Sequence, residues 1–487
     1  MKNLTKDKLN EYLQEESKLL IGLGSLLVFF LVFPFIYSFL FLGKPDLGLQ
    51  MVFNGTVISV LYATLAMGFS LIYGIAKQLK LSAGGYYVIA AYTMYFLLEA
   101  KQIVLGNIPL PEISATSIKL DGLLILGLYL LPIIIVIIIL LSLWFIFDIQ
   151  EFLLMLISPI ASGGGFILIK VFFEKESLDT VFLEGIYISL AVLLIGVAAW
   201  YLELSKREIA IGTVILGVTL PLLMFTINLK IVYIALMICA VMFTACLAML
   251  SDRFLIDKVR NSHVNVLIVT FAVALFVQNF IQIIYFPYKG EELFPFGPED
   301  RTLPGYIPYT DTITILGARI EYLRILSVLF SIVAILLLYA FIWFTKMGKA
   351  LRAVAQDEEA AALAGIDIRK ITAIVSGVGM GLIGFAAVFT SSFSASPQWS
   401  PYMGWWVLIS CIAVVTLGGM GSLPGTAIAA FIIGFSEAIA GSMTISIWQG
   451  VIDIPINSLS PVIPFAAIAL VLIFKPEGLL GTKEELE

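Results

Sequence analysis

Long apolar runs alternate with short polar segments along nearly the whole chain. Many of these runs approach the roughly 20 residues that a helix needs to cross a hydrocarbon core about 30 Å thick. The pattern predicts an all-α polytopic integral membrane protein with about fourteen transmembrane helices. In chain order, the predicted spans are 19–42, 51–75, 83–98, 122–147, 152–173, 181–202, 209–227, 231–250, 264–286, 323–344, 371–392, 405–417, 425–441 and 461–474.

Composition supports this prediction. The 487 residues are 60% hydrophobic and only 13% charged, whereas soluble domains carry about 25% charged residues. The mean hydropathy is +1.04. A chain with so few charges lacks the residues to build a polar surface around a soluble core of this size.

The basic residues orient the predicted spans. With residues 1–18 and 483–487 as cytoplasmic tails, about 18 of the 28 Lys and Arg residues fall on the inside, as the positive-inside rule requires. We therefore expect a multi-pass protein of the cell (cytoplasmic) membrane, surrounded by lipid, with both termini in the cytoplasm. Nothing in the sequence indicates nucleic-acid binding.

Residues 99–230 look like an added block within the predicted bundle. They hold about four predicted spans with long Leu, Ile and Val runs. An even number of spans leaves the orientation of everything that follows unchanged. We therefore divide the chain into first spans over 19–98, an inserted block over 99–230 and a core over 231–482.

One cytoplasmic segment, residues 345–370, is too polar to enter a membrane and too long for a tight turn. From Lys349 to Ala364 it consists largely of strong helix formers, and Gly365 is placed to end the helix. We expect one short surface helix with small side chains on one face. Such a helix could fit a groove on a partner protein, or it could be an ordinary solvated loop helix.

Few residues of the predicted spans can carry chemistry. Glu437 is the main ionisable residue at depth, and an intramembrane carboxylate is a functional candidate, although a bond to a neighbouring helix would also explain it. The glycine-rich segment 418–425 predicts a tight turn or a broken re-entrant segment. No Gly-x4-Gly-Lys-Ser/Thr sequence is present, so the chain has no P-loop for ATP. His263 is the single histidine, which argues against a histidine-based metal or catalytic site.

Several motifs occur in a fixed order in the second half of the chain. Glu359-Ala360-Ala361-x-x-x-Gly365 has the spacing of the EAA loop in permeases of ABC transporters. The other motifs are Met347–Ala353, Gly418–Gly425 and Pro476–Gly481, with Asn54-Gly55 and Gln278-Asn279 in two spans. Over about 51–98 and 231–482 the chain resembles the branched-chain amino acid ABC transporter permeases, most closely the shorter of their two permease types.

The resemblance implies a transport subunit and no enzyme of its own. ATP and Mg²⁺ would bind to separate cytoplasmic ATPase subunits, so this chain would hold no cofactor and no metal. Its other partners would be a second permease chain, identical or different, and an extracytoplasmic substrate-binding protein. The expected contacts with the ATPase lie in the 345–370 loop at Gly348, Arg352, Asp357, Glu359, Ala360, Ala361 and Gly365.

Candidates for the translocation pathway come from the matching motifs and from the buried carboxylate. They are Asn54, Gln278, Asn279, Gly418, Gly419, Gly421 and Glu437. Branched-chain amino acids are the expected cargo, and related permeases leave urea, short amides and other amino acids open. The stretch Lys80–Gly85 lacks the His and Glu that family members often carry at this place, which bears on the substrate.

Two other functions compete with this interpretation. An ion-coupled secondary transporter of small organic solutes could have fourteen spans, but such proteins use mid-membrane ionisable groups, which are scarce here, and its EAA-like loop would have no role. A membrane-embedded enzyme would need a nucleophile motif, a histidine cluster or paired carboxylates within the spans, and the sequence shows none of these.

Overall fold

The computed structural model describes residues 32–34, 36, 45–104, 231–260, 262–285, 312–315, 318–391, 400–441, 444–447, 452–455, 462–474 and 478–480. These residues form eleven α-helices, one π-helical turn and four short strands. The helices are α1 (Pro45–Ala76), α2 (Ala83–Val104), α3 (Ile231–Ser251), α4 (His263–Tyr285), α5 (Tyr322–Phe344), α6 (Lys346–Gln356), α7 (Glu358–Leu363), α8 (Ile368–Ser391), α9 (Met403–Gly418), α10 (Leu423–Gly441) and α11 (Ile463–Phe474). The π-helical turn Asp252–Ile256 continues α3.

All nine predicted spans that fall in the described ranges are helices. Six helical segments are long and apolar enough to cross a membrane: Gly48–Ala76, Met237–Ile256, His263–Gln282, Tyr322–Phe344, Ile368–Ser391 and Leu423–Gly441. The shorter apolar helix Met403–Gly418 accompanies them. The chain is therefore a mostly helical, multi-pass membrane protein. Four predicted spans between 122 and 227, and all but a few residues of 19–42, lie outside the described residues, so the count of fourteen stays a prediction.

Two antiparallel hairpins correct the all-α prediction. Strands β1 (Thr312–Ile315) and β2 (Ala318–Glu321) pair directly before α5. Strands β3 (Thr444–Ile447) and β4 (Ile452–Pro455) pair between α10 and α11. Hydropathy over a window of about twenty residues detects spans, and four-residue strands are too short to register in it. The first hairpin lies in the polar connection between α4 and α5.

Helix α8 packs against α1, α2 and α3 at the centre of the described bundle, and α1 also packs along α10. The contact depends on glycine. A Cβ added at Gly379 would lie 2.5 Å from the Gly68 carbonyl oxygen of α1 and 2.5 Å from the Ile72 side chain. Small residues such as this glycine let helix backbones approach closely in a membrane.

The connections between consecutive helices define two ends of the bundle. At one end, named here the loop end, lie the connections 77–82, 252–262, 345–367 and 419–422. Hydrogen bonds and close contacts join them: the Gln78 side chain donates to the Arg260 carbonyl (3.1 Å), and Gly74 lies against Gly421. At the opposite end, the hairpin end, β1 and β2 lead into α5, and β2 contacts α1.

Candidate functional site

The segment 345–367 forms two short helices, α6 and α7, and not the single helix expected from its composition. The Thr345 hydroxyl caps α6 by accepting from the Gly348 N–H (2.9 Å). Asp357 is extended, with φ −153° and ψ 108°, and its carboxylate accepts from the Ala360 N–H (3.0 Å). Because this cap starts a new helix, the chain bends between Gln356 and Glu358. We call α6, α7 and the residues that join them to α8 the coupling loop.

Gly365 ends α7 as the sequence indicated. Its φ of +85° belongs to the left-handed region that glycine adopts without cost. The Gly365 N–H donates to the Ala362 carbonyl (3.0 Å), and the Ile366 N–H donates to the Ala361 carbonyl (3.1 Å). This is the paired hydrogen bonding of a Schellman helix end.

Burial separates the coupling-loop candidates into two groups. Gly348 and Ala361 are buried within this chain, together with Leu351 and Val354. Those residues hold the loop on the helix bundle and are not available to another protein. Arg352 lies over the Trp343 ring, 4.4 Å from its centroid. The exposed candidates are Asp357, Glu359, Ala360 and Gly365.

Leu363 is a further exposed residue that sequence reasoning missed. It is 91% exposed, although it sits in a run of alanines two residues after the buried Ala361. A leucine between alanines looks like a core residue in sequence, and only the orientation of α7 shows that it points away from the bundle. The exposed face of α7 thus combines an apolar knob with the acidic residue Glu359.

Two ion pairs connect α7 and the start of α8 to the connection 252–262. Arg260 lies 3.7 Å from the Glu358 carboxylate and donates to the Thr372 hydroxyl of α8 (2.7 Å). Arg369 lies 3.6 Å from Asp257. Both pairs are partly exposed, so each adds little to stability. Their consequence is geometric, because they fix the connection 252–262 relative to α7 and to the start of α8.

Behind these pairs lies a buried polar cluster that the sequence did not reveal. The Lys80 ammonium donates to the Asp252 carboxylate and to the Ser376 hydroxyl (2.5 Å). Ser376 in turn donates to Asp252 (2.9 Å). Burial lowers the pKa of Lys80, while the charge of Asp252 acts in the opposite direction. The stretch 80–85, which departs from the family pattern, therefore begins with a buried ion pair.

The candidates for the translocation pathway do not gather at one place. At the hairpin end, Asn54 accepts from Arg324 (2.7 Å). Gln278 accepts from the Trp405 indole (2.5 Å) beside a small cleft lined by Gly84 and Gly85. Asn279 is exposed, and its amide donates to the Leu275 carbonyl (2.7 Å).

The remaining pathway candidates divide between a turn and a helix. Gly418 ends α9, and Gly419 and Gly421 have φ of +97° and +88°, so the segment is a tight turn at the loop end, one of the two structures expected. Residues Leu479 and Leu480 donate backbone hydrogen bonds to Leu417 and Gly418. Glu437 is half-buried on α10 and interacts with the Tyr62 hydroxyl of α1.

Comparison with known proteins places this geometry in a family. Residues 203–472, more than half of the chain, match the family described as "Branched-chain amino acid transport system / permease component". This range contains the coupling loop, α3 to α10 and nearly all of α11.

Curated relatives agree with the family match. The chain is 26% identical over 240 residues to the high-affinity branched-chain amino acid transport system permease protein LivH of Escherichia coli K12, covering 48% of this chain and 69% of that protein. LivH of Salmonella typhimurium is 27% identical over 237 residues, with the same coverage. The corresponding permease protein BraD of Pseudomonas aeruginosa is 29% identical over 182 residues, covering 37% of this chain and 55% of BraD. No solved structure matches the chain significantly.

The ordered motifs, the spanning helices and the family match over 203–472 agree: the chain belongs to the family of permease components of branched-chain amino acid transport systems.

Proposed function

We propose that this chain is the membrane permease subunit of an ATP-driven ABC importer and that a separate cytoplasmic ATPase seats on its coupling loop. The observation that carries the proposal is the exposed face of α7. Leu363 is 91% exposed between the exposed residues Glu359 and Gly365. An apolar anchor with charges at its rim fits the groove of a partner protein.

The rigid seat of the loop supports this role. Leu351, Val354 and Ala361 are buried against the bundle. One of the ion pairs described above joins α7 to the connection 252–262, and the other joins the start of α8 to it. A partner that moved α7 would therefore move the ends of α3 and α8. ATP and Mg²⁺ would bind to the ATPase and not to this chain.

The distribution of charge supports a cytoplasmic loop end. Among the described residues, the loop end holds ten Lys and Arg residues: Lys77, Lys80, Arg253, Lys258, Arg260, Lys346, Lys349, Arg352, Arg369 and Lys370. The hairpin end holds three, which are Lys101, Arg319 and Arg324. By the positive-inside rule, the loop end faces the cytoplasm of a cell membrane, both termini are cytoplasmic, and an external substrate-binding protein meets the hairpin end.

The proposed cargo is a branched-chain or related amino acid, since the curated relatives carry that substrate in their names. Lys80, at the start of the divergent stretch 80–85, is buried at the loop end, far in the fold from the hairpin end where substrate would arrive. An ion-coupled transporter is less well supported, because it leaves the exposed face of α7, with Leu363 at its centre, without a role.

The second permease chain and the block 99–230 complete the proposed assembly. Helices α4 and α5 have only 28% of their span windows buried, which leaves broad apolar faces for lipid or for a second permease chain. Helices α2 and α3 pack against each other, although residues 105–230 separate them in the sequence. We propose that 99–230 is an insertion into a permease core formed by 19–98 and 231–482.

Co-purification with the cognate ATPase tests the proposal. The variant Leu363→Asp should lose about 2 kcal/mol of binding, a roughly 30-fold weaker affinity, because a central apolar anchor becomes charged. Thr314→Asp is the matched control, since it adds the same charge at an exposed position of the hairpin end. Ala361 is unsuitable as a probe because it is buried in this chain's own packing. If the wild-type chain retains no ATPase in any nucleotide state, the proposed function is wrong.

A further inference from the structure

The burial of the cluster of Lys80, Asp252 and Ser376 is not explained by a gain in stability. The three residues are 2%, 4% and 2% exposed. Removing two charges from water costs several kcal/mol per ion, and a well-packed apolar pair of similar volume is often equally stable or more stable. The cluster is therefore poorly explained as a stabilising element, and its geometry indicates another role.

The cluster joins three separate elements of the loop end. Lys80 lies on the connection 77–82, which links α1 to α2. Asp252 is the first residue of the π-helical turn that ends α3. Ser376 lies one turn beyond Thr372 on α8. Because hydrogen bonds are directional, this set of contacts fixes the turn relative to both neighbours.

The residues that follow this turn contact α7 and the start of α8. Asp257 and Arg260 follow the turn and form the ion pairs with Arg369 and Glu358. The Arg260 backbone is held from the other side by Gln78, two residues before Lys80. The segment 252–260 thus lies between the coupling loop and the connection 77–82, and it contacts both through polar groups.

We propose that Lys80, Asp252 and Ser376 form a positioning cluster that fixes the segment 252–260, so that displacement of the coupling loop is transmitted to α1, α2 and α8. The transmission step rests on the proposed function, whereas the fixing of the segment does not. The cluster acts by holding the segment 252–260, in which Arg260 meets Glu358 of α7.

A double variant can distinguish a positioning role of the cluster from a stabilising one. The double variant Lys80→Met with Asp252→Leu replaces the ion pair by apolar side chains and should leave thermal unfolding nearly unchanged. It should nevertheless loosen the segment 252–260, because the directional contacts are lost. Arg253→Met is the matched control, since Arg253 is an exposed cation in the same turn.

The first measurement uses the chain alone in detergent. Cysteines at Lys258 and Glu359, both exposed, would be joined by a short bismaleimide, and the rate of crosslinking followed. The double variant should crosslink at least three-fold more slowly than the parent, and Arg253→Met at the parental rate. Equal rates in all three proteins would overturn the proposal. If the double variant does not fold, Ser376→Ala replaces it, with a roughly two-fold decrease expected and no change counting against the proposal.

The second measurement uses the complex with the ATPase in proteoliposomes. The double variant should bind the ATPase as the wild type does, because the exposed face of α7 is untouched, but its transport per ATP hydrolysed should fall at least five-fold. Unchanged transport per ATP hydrolysed would show that the cluster does not transmit displacement of the coupling loop and serves only in packing. A wild-type chain that binds no ATPase would refute the proposed function, while the crosslinking rates would still decide whether the cluster positions the segment.

Discussion

Gly365 shows how one residue can be required for backbone shape alone. Its φ of +85° lies in the left-handed region, and a Cβ added there would meet nothing within 4 Å. The requirement is therefore conformational and not steric. The glycine could be predicted from the EAA-like spacing and from the way helices end. The exposure of Leu363 beside it could not, because it depends on how α7 sits on the bundle.

The variant Gly365→Ala should destabilise the end of α7 by about 1–2 kcal/mol, because a side chain makes the left-handed conformation costly. Gly365→Asn should have a smaller effect, since asparagine tolerates this region better. Hydrogen exchange of the amides of 358–366 in detergent measures the change, with roughly tenfold faster exchange expected for alanine. Equal exchange in the alanine and asparagine variants would show that backbone conformation does not control this helix end.

At the scale of elements, the contact between α1 and α8 shows how small residues allow two helices to pack closely. Gly379 meets α1 through the Gly68 carbonyl and Ile72, whereas Gly381 faces α3 more loosely, where an added Cβ would lie 3.2 Å from the Ala245 Cβ. Small residues let helix backbones approach closely in a membrane. The glycines of α8 are visible in the sequence, but the sequence does not indicate which glycine faces which helix.

The two glycines should therefore respond differently to the same substitution. Gly379→Ala forces a methyl group against a backbone oxygen and should cost about 1–3 kcal/mol through displacement of α1. Gly381→Ala requires a shift of only a few tenths of an ångström and should cost much less. Thermal unfolding of the purified chain by intrinsic fluorescence compares them. A Gly379→Ala protein as stable as Gly381→Ala would contradict the close contact between α1 and α8.

The coupling loop illustrates a limit of reasoning from helix propensity. Strong helix formers lie on both sides of Asp357, so composition predicted one helix. The structure has two, because the backbone of Asp357 is extended and its carboxylate caps α7 by accepting from the Ala360 N–H. Aspartate is a good N-cap and a weaker helix-interior residue. Asp357 therefore indicated a helix start in the sequence, but the strong helix formers around it outweighed this single residue.

For the whole molecule, the division into two ends has a consequence for orientation. The connections that carry most described cations all lie at the loop end, and the strands β1 and β2 lie at the hairpin end. By the positive-inside rule, this charge distribution orients the bundle. The loop end is the expected cytoplasmic face.

Single cysteines test this orientation in intact cells. Cysteine at Lys258 or at Gln356, both exposed at the loop end, should react with a membrane-impermeant maleimide only after the cells are opened. Cysteine at Thr314, exposed at the hairpin end, should react in intact cells. The native Cys239, Cys246 and Cys411 are buried, so the background should be low. The opposite labelling pattern would invert the proposed topology.

The sequence by itself determined the membrane class, the nine spans that the structure describes, the end of α7 at Gly365 and the family. These features depend on local quantities: the length and hydropathy of a run, the conformational range of glycine and the order of short motifs. Only the tertiary structure decided which coupling-loop residues are exposed, that the pathway candidates are spread over both ends, and that Lys80 meets Asp252 and Ser376, which lie 172 and 296 positions away in the chain. Such contacts depend on how helices pack in three dimensions, and no local pattern in one sequence records that packing.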